Sequence, residues 1–436
     1  MYNEMGVGIT KERVFYMTKA IEFITKHEMG YETIDVARET PRLLQEMQAG
    51  LDGAASSLLM IPSYIVLKNH VQREKKVLCV DAGGTNLRLA VCEFSQDGEF
   101  KTGEIAKYKM PGSEKELEAQ EFFDVMAELI APYTKITKDI VISFAYRASI
   151  TPEIDCKIIE ITKEVKVKGA GGKLLAYEIG KSLHKKGIDH CKMIVVNDSV
   201  ATALSGKAEK LNDGYGTFTG TILGTGSNSC YIESLTKIGK LAGVSKDGVM
   251  VINTEAGSYD KMHRSDIDRA YDATTLNAKV GVFEKMTSGG YLGSLCGFTL
   301  KKASEENVFE AALSEDILKI KTVDVSEFLE DGNGALKAFF ASEKDRESAR
   351  EILTNIIKRA GNLLALQMAA IAKKAVKLNN KVCMTIEGTT YEKMFGLKKQ
   401  TLEQLLPYLK SQGIEADVIT VELAVLKGCA IAGLSR

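Results

Sequence analysis

The sequence feature that most constrains the fold is a strand, glycine turn and strand pattern that occurs twice in the 436-residue chain. The first copy has an apolar run at Val77–Val80, a turn at residues 81–86, and a second β-forming run at Leu87–Phe94. The second copy, at residues 217–232, places two apolar strands around Gly224–Asn228. A glycine turn between two such strands predicts a β-hairpin. The repetition indicates that the two halves of the chain are copies of one unit.

The remaining periodicity alternates between strand and helix, which predicts an α/β architecture. The predicted buried strands are Lys138–Phe144, Met193–Val196 and Val382–Ile386. The predicted helices are residues 114–130, Leu174–Lys186 and Ala349–Val376, together with a helical region over residues 10–60 that breaks and restarts at Arg38–Pro41.

Size and composition limit the classes of function. A chain of this length predicts two domains. The 57 Lys plus Arg residues nearly balance the 58 Asp plus Glu residues, so the overall charge does not favour binding to nucleic acid or an anionic membrane. Residues 11–26 predict an amphipathic helix rather than a signal peptide, and no long apolar run predicts a membrane span. The eight scattered cysteines are interpreted as buried small hydrophobes, and the five histidines show no zinc-ligand spacing. We therefore expect a cytoplasmic protein without structural zinc.

The first glycine turn has the chemistry of a phosphate site. Gly83 and Gly84 permit positive φ angles and a close approach of ligand to the main-chain N–H groups. Asp81, at the strand end, is placed to hold Mg²⁺ through water. Further donors stand at Thr85, Asn86 and Arg88. The turn lacks the lysine of a Walker A loop and the glycine spacing of a dinucleotide-binding fingerprint. Taken alone, it is also compatible with an ordinary hairpin turn that binds nothing.

The second turn and one carboxylate complete the argument from residues. Gly224–Asn228 offers the same kind of donors, and two such turns facing each other across a cleft could grip one polyphosphate. Asp198 directly follows a predicted buried strand, where α/β proteins place reactive groups. A carboxylate there is suited to accept a proton from an alcohol during phosphoryl transfer. The alternative is that Asp198 caps the helix that begins at Ser199.

These segments, in this order, resemble the hexokinase family of the actin-like ATPase fold. The resemblance is carried by Val80–Arg88 and Gly224–Tyr231 as phosphate motifs, Ile142–Phe144 with Arg147 and Thr162-Lys163 as the sugar segment, Val196–Thr202 around the catalytic aspartate, Ile252–Glu255 and Phe283–Met286 as glutamate segments, Ile386–Tyr391 as the adenosine motif, and Lys427–Ala430 in the closing helix.

The resemblance implies two α/β domains, each of the duplicated ribonuclease-H-like type, around a central cleft. The small domain would hold residues 72–198 and 424–436, and the large domain residues 1–71 and 199–423. The implied activity is transfer of the γ-phosphoryl group of ATP to the 6-hydroxyl of glucose or a similar hexose, with domain closure on sugar binding. The implied cofactors are ATP and Mg²⁺, and the protein would act as a monomer or a homodimer.

The resemblance also implies roles for individual residues. The catalytic residues would be Asp198 and Lys163. The hexose would be bound by Ser143, Thr162, Lys163, Asn197, Asp198, Asn228, Glu255 and Glu284. The nucleotide would be bound by Asp81, Gly83, Gly84, Thr85, Asn86, Arg88, Gly224, Thr225, Gly226, Gly388 and Thr389, with Mg²⁺ near Asp81 through water. Without the resemblance, Glu255 and Glu284 would be interpreted as solvated surface charges.

The chain departs from the family pattern at three positions beside these residues. Ala145 stands where the family usually has proline, Ala256 where it has tryptophan, and Glu387 where it has aspartate. Two other functions share part of the motif set. An actin-like ATPase or chaperone would keep the phosphate turns and have no use for the sugar residues. A sugar sensor would keep the glutamates and lose the base, whereas Asp198 is present.

Overall fold

The structure is a computed structural model that describes residues 17–65, 71–84, 86–161, 165–210, 213–241 and 247–435. Thr85, Thr162, Lys163 and the first part of the predicted helix at 11–26 lie outside the described residues.

The strands in chain order are β1 (Ile61–Pro62), β2 (Val77–Ala82), β3 (Asn86–Phe94), β4 (Phe100–Thr102), β5 (Ala106–Lys109), β6 (Leu117–Glu118), β7 (Asp139–Phe144), β8 (Arg147–Ile150), β9 (Cys156–Glu160), β10 (Val167–Lys168), β11 (Lys192–Val196), β12 (Thr217–Leu223), β13 (Ser227–Ser234), β14 (Val249–Asn253), β15 (Lys381–Glu387) and β16 (Glu415–Ile419). The α-helices are α1 (Lys19–Lys26), α2 (Val36–Asp52), α3 (Ala119–Ile130), α4 (Leu175–Lys185), α5 (Asp198–Glu209), α6 (Asp266–Thr274), α7 (Val282–Thr287), α8 (Leu292–Glu305), α9 (Thr322–Asp331), α10 (Glu343–Lys374), α11 (Thr389–Lys393), α12 (Leu397–Ser411) and α13 (Ala424–Leu434).

Two mixed sheets repeat one strand order. The first sheet runs β11-β7-β2-β3-β4, with β5 also paired to β3, and the second runs β16-β15-β12-β13-β14-β1. In each, the first strand of the hairpin is antiparallel to its hairpin partner and parallel to the strand on its other side, β7 or β15. Both predicted hairpins are therefore confirmed, and so is the interpretation of the two halves as copies of one unit.

Both hairpin-opening strands are buried along almost their whole length because both of their faces are covered. All six residues of β2 are buried, so the strand shows no alternation of apolar and polar side chains. Leu78 and Val80 belong to the core of the first sheet, whereas Val77 and Cys79 face a second core shared with α5 and α13. Those two helices pack against each other between the sheets. This close packing requires glycine at position 428, since a Cβ there would collide with the backbone of Ala201.

Two details of the predicted elements are wrong. Pro41 does not break a helix but lies inside α2, which begins at Val36 after the Asp35 N-cap. Pro41 forfeits one main-chain hydrogen bond, and the helix continues to Asp52 because its later turns bury Leu43, Met47 and Leu51. The helix predicted at 114–130 begins only at Ala119, because Leu117 and Glu118 pair with Val167 and Lys168 as a short parallel ladder.

The cysteines confirm their interpretation as small hydrophobes, since all except the half-buried Cys191 are buried and none forms a disulfide. In the part of the chain that the structure describes, no helix is long and apolar enough to cross a membrane. The predicted assignment of 72–198 and 424–436 to one domain stays a prediction. It agrees with the packing of α13 against β2 and β7 of the first sheet.

Candidate active site

A cavity of about 190 Å³ lies between the two sheets and collects many of the predicted site residues. The predicted residues that line it are Gly84, Asp198, Thr225, Gly226, Asn228, Glu255 and Glu284. They come from the two hairpin turns, from the N-terminus of α5 and from the segments that follow β14 and precede α8. Residues separated by up to 200 positions in the chain therefore meet at one site.

Asn228, near the start of β13, is the centre of the polar network in this cavity. Its Nδ2 donates to Asn253 Oδ1 at 2.9 Å and lies 3.3 Å from both Asn197 Oδ1 and Glu255 Oε1. Asn253 Nδ2 also donates to Glu255 Oε1 at 2.8 Å. The side chains thus fix one another, and the amide and carboxylate groups offer both donors and acceptors to a polyhydroxylated ligand.

The two glutamates are held in place rather than solvated. Glu255 follows β14 in a left-handed conformation, with φ 56° and ψ 44°, which is uncommon for a residue other than glycine. Glu284, on α7, accepts a hydrogen bond from the main-chain N–H of Ser227 at 2.9 Å. Both side chains are half-buried, so the interpretation of them as surface charges is wrong.

Asp198 is the first residue of α5, and it does not cap that helix. Asn197 is the N-cap, and its Oδ1 accepts from the N–H and the hydroxyl of Ser199 at 2.9 Å and 2.6 Å. Asp198 Oδ1 also accepts from the Ser199 N–H at 2.8 Å. The alternative role of Asp198 as the cap is therefore wrong. Its carboxylate lies at the positive end of the helix dipole and lines the cavity.

The first turn closes tightly at the end of β2. The Gly83 N–H donates to the carbonyl of Asn86 at 3.0 Å, and a Cβ at Gly83 would lie 3.2 Å from that same oxygen. Gly83 does not adopt a positive φ, so glycine at this position permits the close approach of the Asn86 carbonyl rather than an unusual backbone dihedral. Asp81 and Arg88 are paired across the hairpin, with Arg88 Nη1 3.7 Å from Asp81 Oδ2.

The second turn is tied to the loop before α8 and to the adenosine segment. The carbonyl of Gly224 accepts from the Gly289 N–H at 2.8 Å, and the carbonyl of Thr225 accepts from the Gly290 N–H at 3.1 Å. Gly388 adopts φ 134°, and a Cβ there would collide with the main chain at Leu223 and Gly224. The second glycine turn and the predicted adenosine segment are therefore in direct contact. Thr389, beside Gly388, is exposed.

Three carboxylates lie close enough to influence one another where the two turns meet. Burial raises the pKa of Asp81 to about 6; Arg88 opposes the rise, and Asp198 adds to it. Burial also raises the pKa of Glu387 to about 7, with further contributions from the charges of Asp81 and Asp198. Such crowding of partly desolvated carboxylates favours a cation or a proton between them. Among the described residues, no group of three or more His, Cys, Asp or Glu side chains is arranged to hold a metal ion without other ligands.

The comparisons with known proteins cover both halves of the chain. A sequence model of the family described as hexokinase matches residues 218–435, half of the chain, and a second hexokinase model matches residues 23–208. The chain belongs to the hexokinase family. It is therefore a phosphotransferase with an alcohol acceptor, of the class that phosphorylates hexoses with ATP.

Individual hexokinases match the chain over nearly its full length. Hexokinase-5 of Oryza sativa subsp. japonica is 26% identical, covering 96% of this chain and 89% of its own length. Hexokinase-1 of Schizosaccharomyces pombe is 24% identical, covering 88% and 84%. Among solved structures, the hexokinase from Schistosoma mansoni complexed with glucose superposes with a TM-score of 0.81 at 22% identity, covering 96% of this chain and 100% of that one. This likeness confirms the predicted fold class, two α/β domains of the actin/hexokinase type.

Several predicted ligand residues of this hexokinase-family chain do not line the cavity: Asp81, Gly83, Asn86, Arg88, Ser143, Asn197, Gly224, Gly388 and Thr389. Ser143 is fully buried in β7, beside Asp81 and Val196 in register. Strand alternation directs its side chain toward the core that α13 covers. Thr85, Thr162 and Lys163, also predicted from the family motifs, lie outside the described residues.

Some residues of the cavity are not among the predicted site residues. They include Glu160, Asn277, Val280 and Tyr291 in the lining, and Asn253, which holds Asn228 and Glu255. Asn253 stands two residues before Glu255, so its place in the glutamate segment was a usable signal. Asn277 and Val280 lie in an irregular loop between α6 and α7, with no strand-end position to mark them.

Proposed function

We propose that this chain transfers the γ-phosphoryl group of ATP to the 6-hydroxyl of glucose or a similar hexose. The observation that carries the proposal is the convergence of Asp198, Asn228, Glu255 and Glu284 with both glycine turns in one cavity. A nucleotide-hydrolysing protein needs the two turns and has no use for the interlocked amides and glutamates. A hexose needs fixed donors and acceptors of this kind.

In the proposed mechanism the hexose lies against Asn228, Glu255 and Glu284, and its 6-hydroxyl faces Asp198. Asp198 accepts the proton as the oxygen attacks the γ-phosphorus, and the bond between that phosphorus and the β,γ-bridging oxygen breaks. Main-chain N–H groups of the turns stabilise the charge on the transferred group. Closure of the two domains would exclude water, which otherwise competes as an acceptor. Lys163, where the family motif places a cation, would assist from the sugar segment.

Magnesium is proposed to be held mainly by the nucleotide phosphates, with Asp81 contacting it through water. Magnesium keeps several water ligands and binds few carboxylates directly, which suits a site with one carboxylate at a strand end. The raised pKa of Asp81, about 6, also supports a cation there, because a nearby positive charge stabilises the buried carboxylate. When bound, the ion would neutralise charge on the β- and γ-phosphates.

The decisive experiment measures ADP release from ATP with and without a panel of hexoses, and identifies the phosphorylated position by ³¹P NMR. We expect ADP release that depends on the hexose and a product phosphorylated at position 6. Release of ADP at the same rate without sugar would favour the ATPase alternative. Glucose binding without any turnover would favour the sugar sensor.

A further inference from the structure

In each half of the chain, a side-chain hydroxyl from the segment that follows the neighbouring parallel strand donates a hydrogen bond to the glycine turn. The Tyr146 hydroxyl, two residues beyond the end of β7, donates to the carbonyl oxygens of Gly83 at 2.9 Å and Gly84 at 3.2 Å. The Thr390 hydroxyl, three residues beyond the end of β15, donates to the carbonyl oxygen of Gly224 at 2.8 Å. Because β7 and β15 occupy the same place in the repeated strand order, the two contacts are structurally equivalent.

Fixing these carbonyl groups also fixes where the amide groups point. A trans peptide is planar, and its C=O and N–H are directed to opposite sides. With the Gly83 carbonyl held by Tyr146, the N–H of Gly84 is directed away from Tyr146. With the Gly224 carbonyl held by Thr390, the N–H of Thr225 is directed away from Thr390. Gly84 and Thr225 both line the cavity.

The packing around each hydroxyl group fixes its position. Tyr146 is 3% exposed and packs against Phe144, with ring centroids 5.0 Å apart. Burial raises its pKa, so the hydroxyl keeps the proton that it donates. Thr390 is buried as well, and a side chain at Gly289 would collide with its hydroxyl oxygen. The chain thus leaves space for the Thr390 contact at the same loop that holds the second turn.

We propose that Tyr146 and Thr390 are positioning residues that hold the two phosphate turns with their N–H groups toward the nucleotide. The proposal rests on the proposed function, because it takes the turns as the phosphate site. Without the Thr390 hydroxyl, the Gly224 carbonyl keeps the Gly289 N–H but is held by one donor fewer. Without the Tyr146 hydroxyl, the Gly83 carbonyl loses this hydrogen bond and can rotate toward the cleft. There the carbonyl oxygen, which carries a partial negative charge, would face the phosphate oxygens in place of a main-chain N–H donor.

The test uses Tyr146→Phe and Thr390→Val in the full chain, which remove each hydroxyl and retain the shape of the side chain. Tyr146→Phe should lower kcat/KM for ATP by roughly 5- to 50-fold, since one oriented contact is lost and misplaced groups cost rate steeply. Thr390→Val should lower it by roughly 2- to 10-fold, because the Gly289 N–H still holds the Gly224 carbonyl. The KM for hexose should stay within about twofold of wild type. Calorimetric titration with a non-hydrolysable ATP analogue and Mg²⁺ should show weaker binding by a similar factor. The double variant should lose roughly the product of the two factors, because the turns lie in different sheets.

Two matched controls separate positioning from general packing. Tyr259 and Thr219 are buried, and their hydroxyl groups have no hydrogen-bond partner among the described residues. Tyr259→Phe and Thr219→Val should therefore leave ATP affinity and kcat/KM for ATP unchanged. Unchanged ATP affinity in Tyr146→Phe and Thr390→Val, with or without a lower melting temperature, would overturn the inference. A wild-type protein with no hexose-dependent ADP release would instead contradict the proposed function, so the two failures are distinguishable.

Discussion

The two hairpin turns occupy equivalent places in the two sheets, but their surroundings differ. The first turn is closed by its own Gly83–Asn86 hydrogen bond and contacted by Tyr146 from the same half of the chain. The second is held in addition by N–H groups of Gly289 and Gly290, which belong to a long insertion. That insertion spans residues 254–380 between β14 and β15, whereas only residues 103–138 separate β4 from β7 in the first half.

The difference indicates how a duplicated fold acquires an asymmetric site. The repeated unit supplies a glycine turn in each half, and two such turns suit the proposed polyphosphate between them. The proposed sugar ligands are not repeated. Glu255 and Glu284 both belong to the insertion, and Asn228 joins them from β13. Three of the proposed acceptor ligands in the cavity thus come from the second half, and Asp198 lies at the junction of the two sheets.

The largest effect is expected at that junction. Asp198→Ala should lower kcat for hexose phosphorylation by about 10²- to 10⁴-fold, because the proposed general base is removed. The measurement is steady-state turnover with saturating ATP and hexose. As a control, Asp213→Ala changes an exposed aspartate beyond the C-terminus of the same helix and should leave turnover unchanged. Near-normal turnover in Asp198→Ala would contradict its role as the base.

Substitution of the two glutamates tests the proposed sugar site separately from the second glycine turn. Glu255→Gln should raise the KM for hexose by roughly 10- to 100-fold with little change in KM for ATP, since it removes a charged hydrogen-bonding group. Glu284→Gln should raise both constants, because Glu284 also holds the N–H of Ser227 beside the second turn. Both KM values should be determined for each variant. If the two variants gave the same pattern, Glu284 would have no separate role at the turn.

The smallest effect concerns the carboxylates where the halves meet. The pKa of Glu387 is about 7 in the folded chain, against an ordinary value of 4.5. The folded state therefore binds more protons than the unfolded chain between these values, and its stability falls as pH rises through that window. Glu387→Gln should remove this loss and stabilise the metal-free protein at pH 8 by roughly 1–2 kcal/mol, after discounting for screening.

The measurement is the melting temperature of wild type and Glu387→Gln at pH 5 and pH 8, in chelator and without nucleotide. The variant should melt a few degrees higher than wild type at pH 8, and the gap should narrow at pH 5. The exposed Glu116→Gln serves as the matched control and should show no such pH dependence. If the difference in melting temperature between the variant and wild type were the same at pH 5 and pH 8, the charge of Glu387 would not be its cause.

Local sequence signals were sufficient for the repeated unit. The apolar runs of β2 and β12, each followed by glycines, predicted the hairpins because strand formation and turn chemistry depend on neighbouring residues. The family segments placed Asp198, Asn228, Glu255 and Glu284 on the chain, and the structure brings these four to one cavity. Their individual roles stay predictions.

Contacts between distant segments were decided only by the tertiary structure. The sequence does not reveal that Tyr146 reaches Gly83, that Thr390 reaches Gly224, or that Ser143 is buried, because each depends on which strand ends become neighbours. The same holds for Pro41, which lies inside α2 as the sixth residue of that helix. Sequence patterns record the preferences of each segment for strand, helix or turn, whereas a side chain's partner is chosen by packing across the whole chain.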